Sequence, residues 1–480
     1  MTKDLRTYLA ELEQHCPEAT LRIGREVDPR EFHVSAVLQR LEDRGDQRVV
    51  LFQKSLDLEG RPTNFSLAYN LFVTRELCAR AIGLSSADAK MPLSLEFSRR
   101  EARRIEPELV PPARAAVKEV VRTGRDIDLT RVPMFRYHEQ DIGFYLTMVA
   151  VMKDSEENFY DVSFCKNMFV SPKRLTVSLQ RKLHKHLLNI LEKNEERDRE
   201  TPVAMIIGHH PAFYLGAGAL TTFGNDDYGT IGSFLDEPVR LTPSETLGED
   251  FLVPADAEMI VEGIIPPHSA EIENPFGEFS RYYQPQVAVP YADVTAITFR
   301  RDATVQGIFP GHAGHFNLGS IPKEGSLYRE IKRVFPGVQA VHMPHSGVGR
   351  YSCYVSIKKR REEDGKLVGT VPHVFTNQLQ FVVVVDDDVD VFNEQEVIWA
   401  AVTRARFDKD INFLKGMPRS DRVIIDATVP LNEPFPKKAV VPPGALEACV
   451  LEEWLDEGQS ARRRAVGAAS SARKTKHAGS

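Results

Sequence analysis

The stretch from residue 120 to residue 320 constrains the fold most, because short runs of β-forming residues alternate there with turn signals. The runs are Tyr145–Val151, Tyr160–Val170, Val203–Ile207, Met259–Ile265, Val294–Phe299 and Thr304–Phe309. Runs of this length between turn residues are typical of antiparallel strands. One amphipathic helix is predicted among them, over Ser178–Lys193, from apolar residues at helical spacing. The stretch therefore predicts a mainly antiparallel sheet or barrel.

Both flanks of this stretch predict mixed α/β structure. Before it, apolar residues at helical spacing over Leu5–Leu12 predict an opening helix, and Val49–Phe52 predicts a strand. After it, Gln380–Val385 is largely β-branched, which is typical of a strand buried on both faces. Helical patterns stand on either side of that strand, at Ser326–Val334 and Asn393–Ala405. The expected fold class is α/β (α+β), because strands and helices alternate.

The domain boundaries are predicted from changes in composition. We expect an N-terminal α/β domain at 1–115, a central domain at 116–320, a C-terminal α/β domain at 321–450 and a basic tail at 451–480. Residues 461–480 hold six Lys or Arg and no acid, which is typical of a solvated, disordered end. The whole chain has a formal net charge of −7, so nucleic acid is not expected as the main partner.

Neither a membrane nor an oxidising compartment is indicated. The strongest apolar runs are far shorter than the ~20 residues that a membrane-spanning helix needs. Acids and bases fall within the first fifteen residues, so no secretory signal is predicted. The five cysteines are scattered and give neither a disulfide framework nor a metal knuckle. We therefore expect a cytoplasmic protein.

Common ligand-binding motifs are absent from the sequence. It has no Walker phosphate loop and no HExxH metal motif, and Gly216-Ala-Gly218 lacks the third glycine of a dinucleotide fingerprint. His184 and His186 would lie about 200° apart on a helix, so they cannot chelate one ion together. The acids at Asp386–Asp388 are more typical of a solvated loop than of a cation site.

The segment Ile272–Tyr283 carries the clearest chemical signal. Glu273 and Glu278 flank Asn-Pro-Phe-Gly. Pro275 fixes its own φ and Gly277 permits positive φ, so the chain should bend and bring the two carboxylates together. Two nearby carboxylates repel, and the pKa of one rises, which provides a general acid beside an ionised partner. An exposed acidic turn is the alternative interpretation of the same residues.

With this segment the chain resembles the UbiD-like decarboxylases, which use prenylated FMN. The family has a Glu–Pro/Asn-Pro-Phe-Gly–Glu segment, approached here by Val253-Pro-Ala and Met259-Ile-Val-Glu-Gly263. The similarity runs from about residue 5 to residue 445. It implies a central split β-barrel that holds flavin and metal, between N- and C-terminal α/β domains. It also implies a homodimer or homohexamer.

The resemblance implies a cofactor site. The family strand Asn-x-Ser-x-x-Arg corresponds to 161–166, so Ser163, Phe164, Cys165 and Lys166 are expected to bind flavin, with Lys in place of the family Arg. Asp161 (Asn in the family), His184 and Asp227 are expected to bind Mn²⁺ or Mg²⁺ at the flavin phosphate, a donor set that suits these ions. K⁺ is a further ion that the family allows.

The resemblance also implies a reaction, the reversible non-oxidative decarboxylation of an aromatic, heteroaromatic or α,β-unsaturated acid. Glu278 would be the proton donor, and Glu273 and Lys166 would form the charge network. Arg281 is a candidate source of the guanidinium that Lys166 replaces. A prenyl-FMN synthase would supply the cofactor. The expected substrate-pocket residues are His312, His315, Phe413 and Leu414.

Two other functions stay open from the sequence. A catalytically silent relative that binds flavin or a partner protein is compatible with Lys at position 166, because Lys offers a point charge where Arg offers a planar fork. A cofactor-free acid/base enzyme, such as a hydrolase, is compatible with the Glu273 and Glu278 pair alone.

Overall fold

The computed structural model describes residues 2–179, 185–417, 420–450 and Trp454. The chain divides into two compact units, Met1–Thr428 and Val429–Ser480. The described part of the second unit has one short helix, Pro443–Glu447. In the described ranges, no helix has both the length and the hydropathy needed to cross a membrane. The predicted mixed α/β class is confirmed by the sheets and helices of the first unit.

A four-stranded sheet and its helices form the N-terminal part. The strands, in sheet order, are Thr20–Ile23, Val49–Phe52, Ser66–Tyr69 and Thr304–Gln306. The helices are Leu5–His15, His33–Glu42, Arg75–Ala81 and Met91–Glu101. The predicted opening helix and the Val49–Phe52 strand are confirmed. The assignment of Thr304–Phe309 to the central sheet is wrong: after a left-handed turn at Asp302, residues 304–306 pair in parallel with Ser66–Ala68.

The central element is a closed barrel of six strands. In order around the barrel they are Met259–Ile265, Thr201–Ile207, Tyr145–Asp154, Phe159–Ser171, Arg174–Thr176 and Tyr291–Phe299. Antiparallel pairing of Met259–Ile265 with Tyr291–Phe299 closes it, and Val120–Thr123 adds to the latter strand. Both faces of Tyr145–Asp154 are buried, since Met148 and Val149 pack into different apolar clusters. The predicted antiparallel sheet or barrel is confirmed.

Short helices and strands connect the strands of the barrel. Three helices lie in this part of the chain, Lys185–Glu195, Pro211–Ala217 and Asp227–Leu235. A small sheet joins Glu108–Leu109, Arg240–Pro243 and Leu252–Pro254, and two ribbons pair Glu271–Glu273 with Val287–Val289 and Phe276–Gly277 with Tyr283–Gln284. The predicted helix start at Ser178 is wrong, because Ser178 and Leu179 are not helical. Residues 180–184 lie outside the described residues.

A five-stranded sheet forms the C-terminal part of the first unit. Its strands, in order, are Val338–His342, Ser352–Ile357, Phe381–Asp386, Arg422–Ala427 and Ile411–Leu414. Its helices are Ala313–Val334, Asp364–Phe375 and Glu394–Arg404. The central three strands are parallel, and Val382–Val385 are fully buried, as the β-branched run predicts. The predicted helix at Ser326–Val334 is the second half of the longer Ala313–Val334 helix.

Candidate active site

The Pro275–Gly277 bend is held in place by a buried carboxylate. Asp141 accepts hydrogen bonds from the backbone N–H groups of Tyr137 (2.9 Å), His138 (3.0 Å) and Gly277 (3.1 Å). The Tyr145 hydroxyl donates to the Asn274 carbonyl at 2.7 Å. Because one end of the bend is tied to Asp141 and the other to the barrel residue Tyr145, the two flanking glutamates have fixed positions.

The physical reason for Gly277 differs from the predicted one. Gly277 does not have positive φ, and it lies in a short strand. A Cβ at this position would collide with the imidazole ring of His138. Glycine is therefore required here by close packing, and the positive φ that glycine permits is not used. The left-handed residue of this segment is Arg281, with φ 63°.

The two glutamates approach the same lysine from different surroundings. Glu278 forms an ion pair with the Lys166 ammonium, which also lies 4.0 Å from the centre of the Phe276 ring. Glu273 is fully buried and accepts hydrogen bonds from the hydroxyls of Thr176 (2.9 Å) and Ser178 (2.7 Å). The structure therefore brings Glu273, Glu278 and Lys166 together around the bend, and the exposed-turn interpretation does not hold.

Burial dominates the protonation behaviour of this cluster. It raises the pKa of Glu273, against the effect of the two hydroxyls and of Lys166. Burial also lowers the pKa of Lys166, and Glu278 opposes that change. The Lys166 ammonium is thus desolvated and in direct contact with the Glu278 carboxylate.

A cavity of about 390 Å³ opens beside this pair. Lys166 and Phe164 alternate along one strand, and Thr147 lies directly opposite Lys166 on the neighbouring strand. All three line the cavity with Cys165, Ser178 and Glu278. Ser163, the remaining predicted flavin contact, lies on the same strand but is not among the described lining residues. The cavity is therefore built on the surface of the barrel.

The other wall of the cavity comes from the C-terminal part of the chain. It consists of Leu318 and Lys323 of the Ala313–Val334 helix, with Arg350, Asn377 and Gln378. The Arg350 guanidinium lies 4.2 Å from the centre of the Phe279 ring, which also lines the cavity. Arg350 and Lys323 were not found from the sequence, because no local motif surrounds them.

Two buried carboxylates lie together at the predicted metal position. Burial raises the pKa of Asp227 to about 7, and the nearby Asp161 carboxylate adds to this. Asp227 accepts hydrogen bonds from the Val162 N–H and the Thr221 hydroxyl, both at 2.9 Å. It is the first residue of its helix, and Asp226 is the N-cap of that helix. Oxygen donors of this kind suit Mg²⁺ or Mn²⁺.

The imidazole near these carboxylates belongs to His186. Its Nδ1 lies 3.1 Å from Asp161 Oδ2, whereas the predicted ligand His184 lies outside the described residues. Among the described residues, no group of three or more His, Cys, Asp or Glu is placed to hold a metal ion. Both histidines of His184-Lys-His186 are visible in the sequence as possible metal ligands, but the family spacing from Asp161 favours His184.

The predicted substrate-pocket residues separate in space. His315 lines the main cavity, and burial lowers its pKa well below the usual range. His312 pairs with Glu42 in a second cavity of about 370 Å³, which Gly277 also lines. Phe413 is 59% exposed on an edge strand, and neither it nor Leu414 is among the described lining residues of the main cavity.

Arg281 does not supply a guanidinium to the cluster. It donates to the Gly311 carbonyl at 2.9 Å, pairs with Glu42 and lines the second cavity. The guanidinium of the main cavity is that of Arg350, whose charge interacts with Glu278. The alternative source of positive charge proposed from the sequence is therefore wrong, because the chain leaves the main cavity after Phe279 and Arg281 lines the second cavity.

Comparisons with known proteins agree with this architecture. Residues 108–313 match the 3-octaprenyl-4-hydroxybenzoate carboxy-lyase Rift-related domain, and residues 316–426 match the C-terminal domain of the same family. The chain is 28% identical to a phenolic acid decarboxylase of Sedimentibacter hydroxybenzoicus over 95% of this chain and 97% of the relative. It is 31% identical to an anhydromevalonate phosphate decarboxylase of Methanothermobacter thermautotrophicus over 65% of this chain and 75% of the relative.

A solved structure is similar over nearly the whole chain. It is an evolved dimeric form of the UbiD-class enzyme HmfF from Pelotomaculum thermopropionicum, in complex with prenylated FMN. The TM-score is 0.85 and the sequences are 31% identical, over 95% of this chain and 100% of the other.

Proposed function

Since this chain belongs to the UbiD family of carboxy-lyases, we propose that it interconverts an aromatic, heteroaromatic or α,β-unsaturated carboxylic acid and its decarboxylated product, with prenylated FMN as cofactor. The Lys166–Glu278 ion pair at the wall of the cavity is the observation that carries the proposal. The cavity has both apolar and charged walls, which suits a carboxylic acid whose carboxylate leaves as neutral CO₂.

The barrel face of the cavity fits a flavin. Phe164, Cys165 and Lys166 would contact its ring system, with Ser163 on the same strand, and the open volume is that of a ligand pocket. When bound, prenylated FMN supplies the electron sink that no side chain of this chain provides. The phosphate would lie toward Asp161 and Asp227 and share a divalent cation, Mn²⁺ or Mg²⁺, with them. K⁺ is a further ion of the proposed site.

Glu278 holds and delivers the proton at the carbon that CO₂ leaves. Its carboxyl group is at the cavity wall, within hydrogen-bonding reach of Lys166. A lysine whose pKa is lowered by burial gives up a proton more readily than an arginine, so Lys166 can reprotonate Glu278 between turnovers. Glu273 lies behind them and stabilises the Lys166 ammonium through its negative charge.

The silent-relative alternative is not favoured. A protein that had lost its chemistry would have no reason to keep two charged groups desolvated and in contact at a cavity wall, because burying charges is costly. Lys166 keeps, in direct contact with Glu278, the positive charge of the family arginine that it replaces. We also propose that the chain is active as a homo-oligomer, as in the dimeric form of its relative.

The test is expression of the full chain with and without a prenyl-FMN synthase. Purified protein from the co-expression should carry flavin absorbance and release CO₂ from at least one member of a panel of aryl and enoic acids. Protein made without the synthase should release none. Bound flavin without CO₂ release from any acid would point to the silent relative, and acid/base activity with no flavin would point to a hydrolase.

The metal assignment has a separate test. Flavin retention during gel filtration should rise when Mn²⁺ is present and fall with a chelator. Asp227→Ala should remove this dependence, whereas Asp250→Ala, at an exposed ion pair with Lys153, should keep it. Equal retention with metal and with chelator in the unmodified chain would contradict the metal site.

A further inference from the structure

The main cavity has an excess of positive charge. Three cationic side chains line it, Lys166, Lys323 and Arg350, together with the His315 imidazole. Glu278 is the acidic side chain among the described lining residues, and it is already paired with Lys166. The two cations at the far wall therefore have no direct ion pair with a described carboxylate, although the Glu278 charge acts on Arg350 from a distance.

Arg350 is held at the cavity wall by a strained turn. The two preceding residues, Val348 and Gly349, have positive φ values of 50° and 67°. A β-branched residue rarely takes this conformation, and strain of this kind is found at functional sites. The guanidinium stacks on Phe279, packs against Gly319 and donates one long hydrogen bond, 3.5 Å, to the Val348 carbonyl. No described carboxylate lies within ion-pair distance of it.

Lys323 also lines the cavity without a described acidic partner, and it comes from a helix. It follows Pro322 in the Ala313–Val334 helix, and its ammonium reaches one neutral partner, the Gln378 side-chain oxygen, at 3.4 Å. Burial and the nearby Arg350 charge lower the pKa of Lys323 to about 7. Two cations that repel each other in a desolvated wall are costly unless an anion occupies the space between them.

We propose that Arg350 and Lys323 bind a second anionic group of the substrate, a carboxylate or a phosphate remote from the carboxylate that is lost. This inference rests on the proposed decarboxylase function and narrows its substrate class to dianionic acids. The reacting carboxylate is matched by the Lys166 side of the cavity, and the flavin phosphate is assigned to the Asp161 and Asp227 side. The Arg350 and Lys323 wall serves neither.

The test is a binding comparison of three matched probes, benzoate, terephthalate and 4-phosphonobenzoate. Each is titrated calorimetrically into the full chain in saturating FMN, so that the flavin phosphate site is filled. Terephthalate or 4-phosphonobenzoate should bind at least about 10-fold more tightly than benzoate, since a tenfold change corresponds to one modest charge pair. The preferred one of the two identifies the second group as carboxylate or phosphate.

Substitution then assigns the preference. Arg350→Met and Lys323→Met should each reduce the dianion preference to below about 3-fold and leave FMN affinity within about 2-fold. Lys332→Met, on the same helix but outside the cavity lining, should keep it. Arg350→Gln and Lys323→Gln replace the Met variants if those do not fold. Equal affinity of the unmodified chain for the three probes overturns the proposal. It is also overturned if the variants lose FMN affinity and keep the dianion preference, because the two cations would then bind the cofactor.

The proposed function and this inference fail separately. Turnover of monoacids and dianionic acids with equal kcat/KM would leave the decarboxylase in place and remove the second anion site. A dianion preference without CO₂ release from any acid would keep the second anion site and contradict the decarboxylase.

Discussion

Lys166 and Glu278 form a direct ion pair although they lie 112 positions apart in the chain. The pair forms because a barrel strand presents the ammonium and the Pro275–Gly277 bend, tied down by Asp141, presents the carboxylate. Both side chains are largely buried, with 17% and 15% of their surface exposed. The local dielectric is therefore low, and small changes at either residue should have large effects.

The first prediction concerns the identity of the cation at position 166. Lys166→Arg should lower kcat by about 10-fold, because the charge is retained but the proton source is lost, whereas Lys166→Met should lower kcat by about 100-fold or more, because Glu278 loses both its partner and its proton source. Steady-state CO₂ release measures both. A Lys166→Met enzyme as active as Lys166→Arg would show that the ion pair has no role.

The second prediction concerns the hydrogen bonds that hold Glu273 ionised. The pKa of Glu273 is raised by burial and lowered by the Thr176 hydroxyl, so Thr176→Val should raise it further. If the enzyme needs the Glu273 carboxylate, activity is lost as pH falls through this pKa. The acid limb of kcat/KM should therefore move to higher pH in Thr176→Val and stay in place in Thr176→Ser. An unmoved limb in Thr176→Val contradicts the role of Glu273.

The third prediction concerns close packing at Gly277. Gly277→Ala puts a methyl group into the His138 ring, so it should lower the free energy of unfolding by about 1–3 kcal/mol and reduce kcat, since Glu278 is the next residue. His138→Ala should restore part of both losses when combined with Gly277→Ala. Denaturant unfolding and CO₂ release check this. Strictly additive losses in the double variant would show that the two side chains do not compete for space.

The fourth prediction concerns the pH dependence of stability. The pKa of Lys323 is lowered to about 7 in the folded chain by burial and by Arg350. The unfolded chain therefore binds more protons than the folded chain between about pH 7 and pH 10. The destabilisation is full below pH 7 and is relieved as pH rises toward 10.

Lys323→Met should consequently be more stable than the unmodified chain by about 2–4 kcal/mol at pH 7, with the difference shrinking toward pH 10. The groups that face Lys323 in the cavity are Arg350, Lys166 and His315, all basic, and the neutral Gln378. Denaturant unfolding at several pH values measures the difference. A difference independent of pH would mean that Lys323 is not desolvated.

Local sequence patterns predicted the elements of the fold and the centre of the site. Five of the six barrel strands follow from their β-forming runs, because the pattern of such a strand lies within one local segment. The sixth, Arg174–Thr176, is too short to give such a run. Glu273, Glu278 and Lys166 came from motifs in two short stretches. The domain boundaries, the roles of the site residues and the metal ligands stay predictions.

The features that the sequence did not predict depend on tertiary neighbours. Thr304–Gln306 has an ordinary strand pattern, and only the turn before it places it in the N-terminal sheet. Arg350 and Lys323 look like surface residues in sequence and become cavity residues because three distant segments pack together. The need for glycine at position 277 comes from the approach of His138, which leaves no trace in the local sequence.

The most direct test of the role of Glu278 is the activity of Glu278→Gln beside that of Glu271→Gln, a matched change on the preceding strand and outside the described cavity lining. Both proteins are loaded with prenylated FMN and assayed for steady-state formation of the decarboxylated product. We expect Glu278→Gln to keep its flavin and to lose at least about 100-fold in kcat, while Glu271→Gln stays close to the unmodified enzyme. A Glu278→Gln enzyme within about 3-fold of full activity would contradict Glu278 as the proton donor.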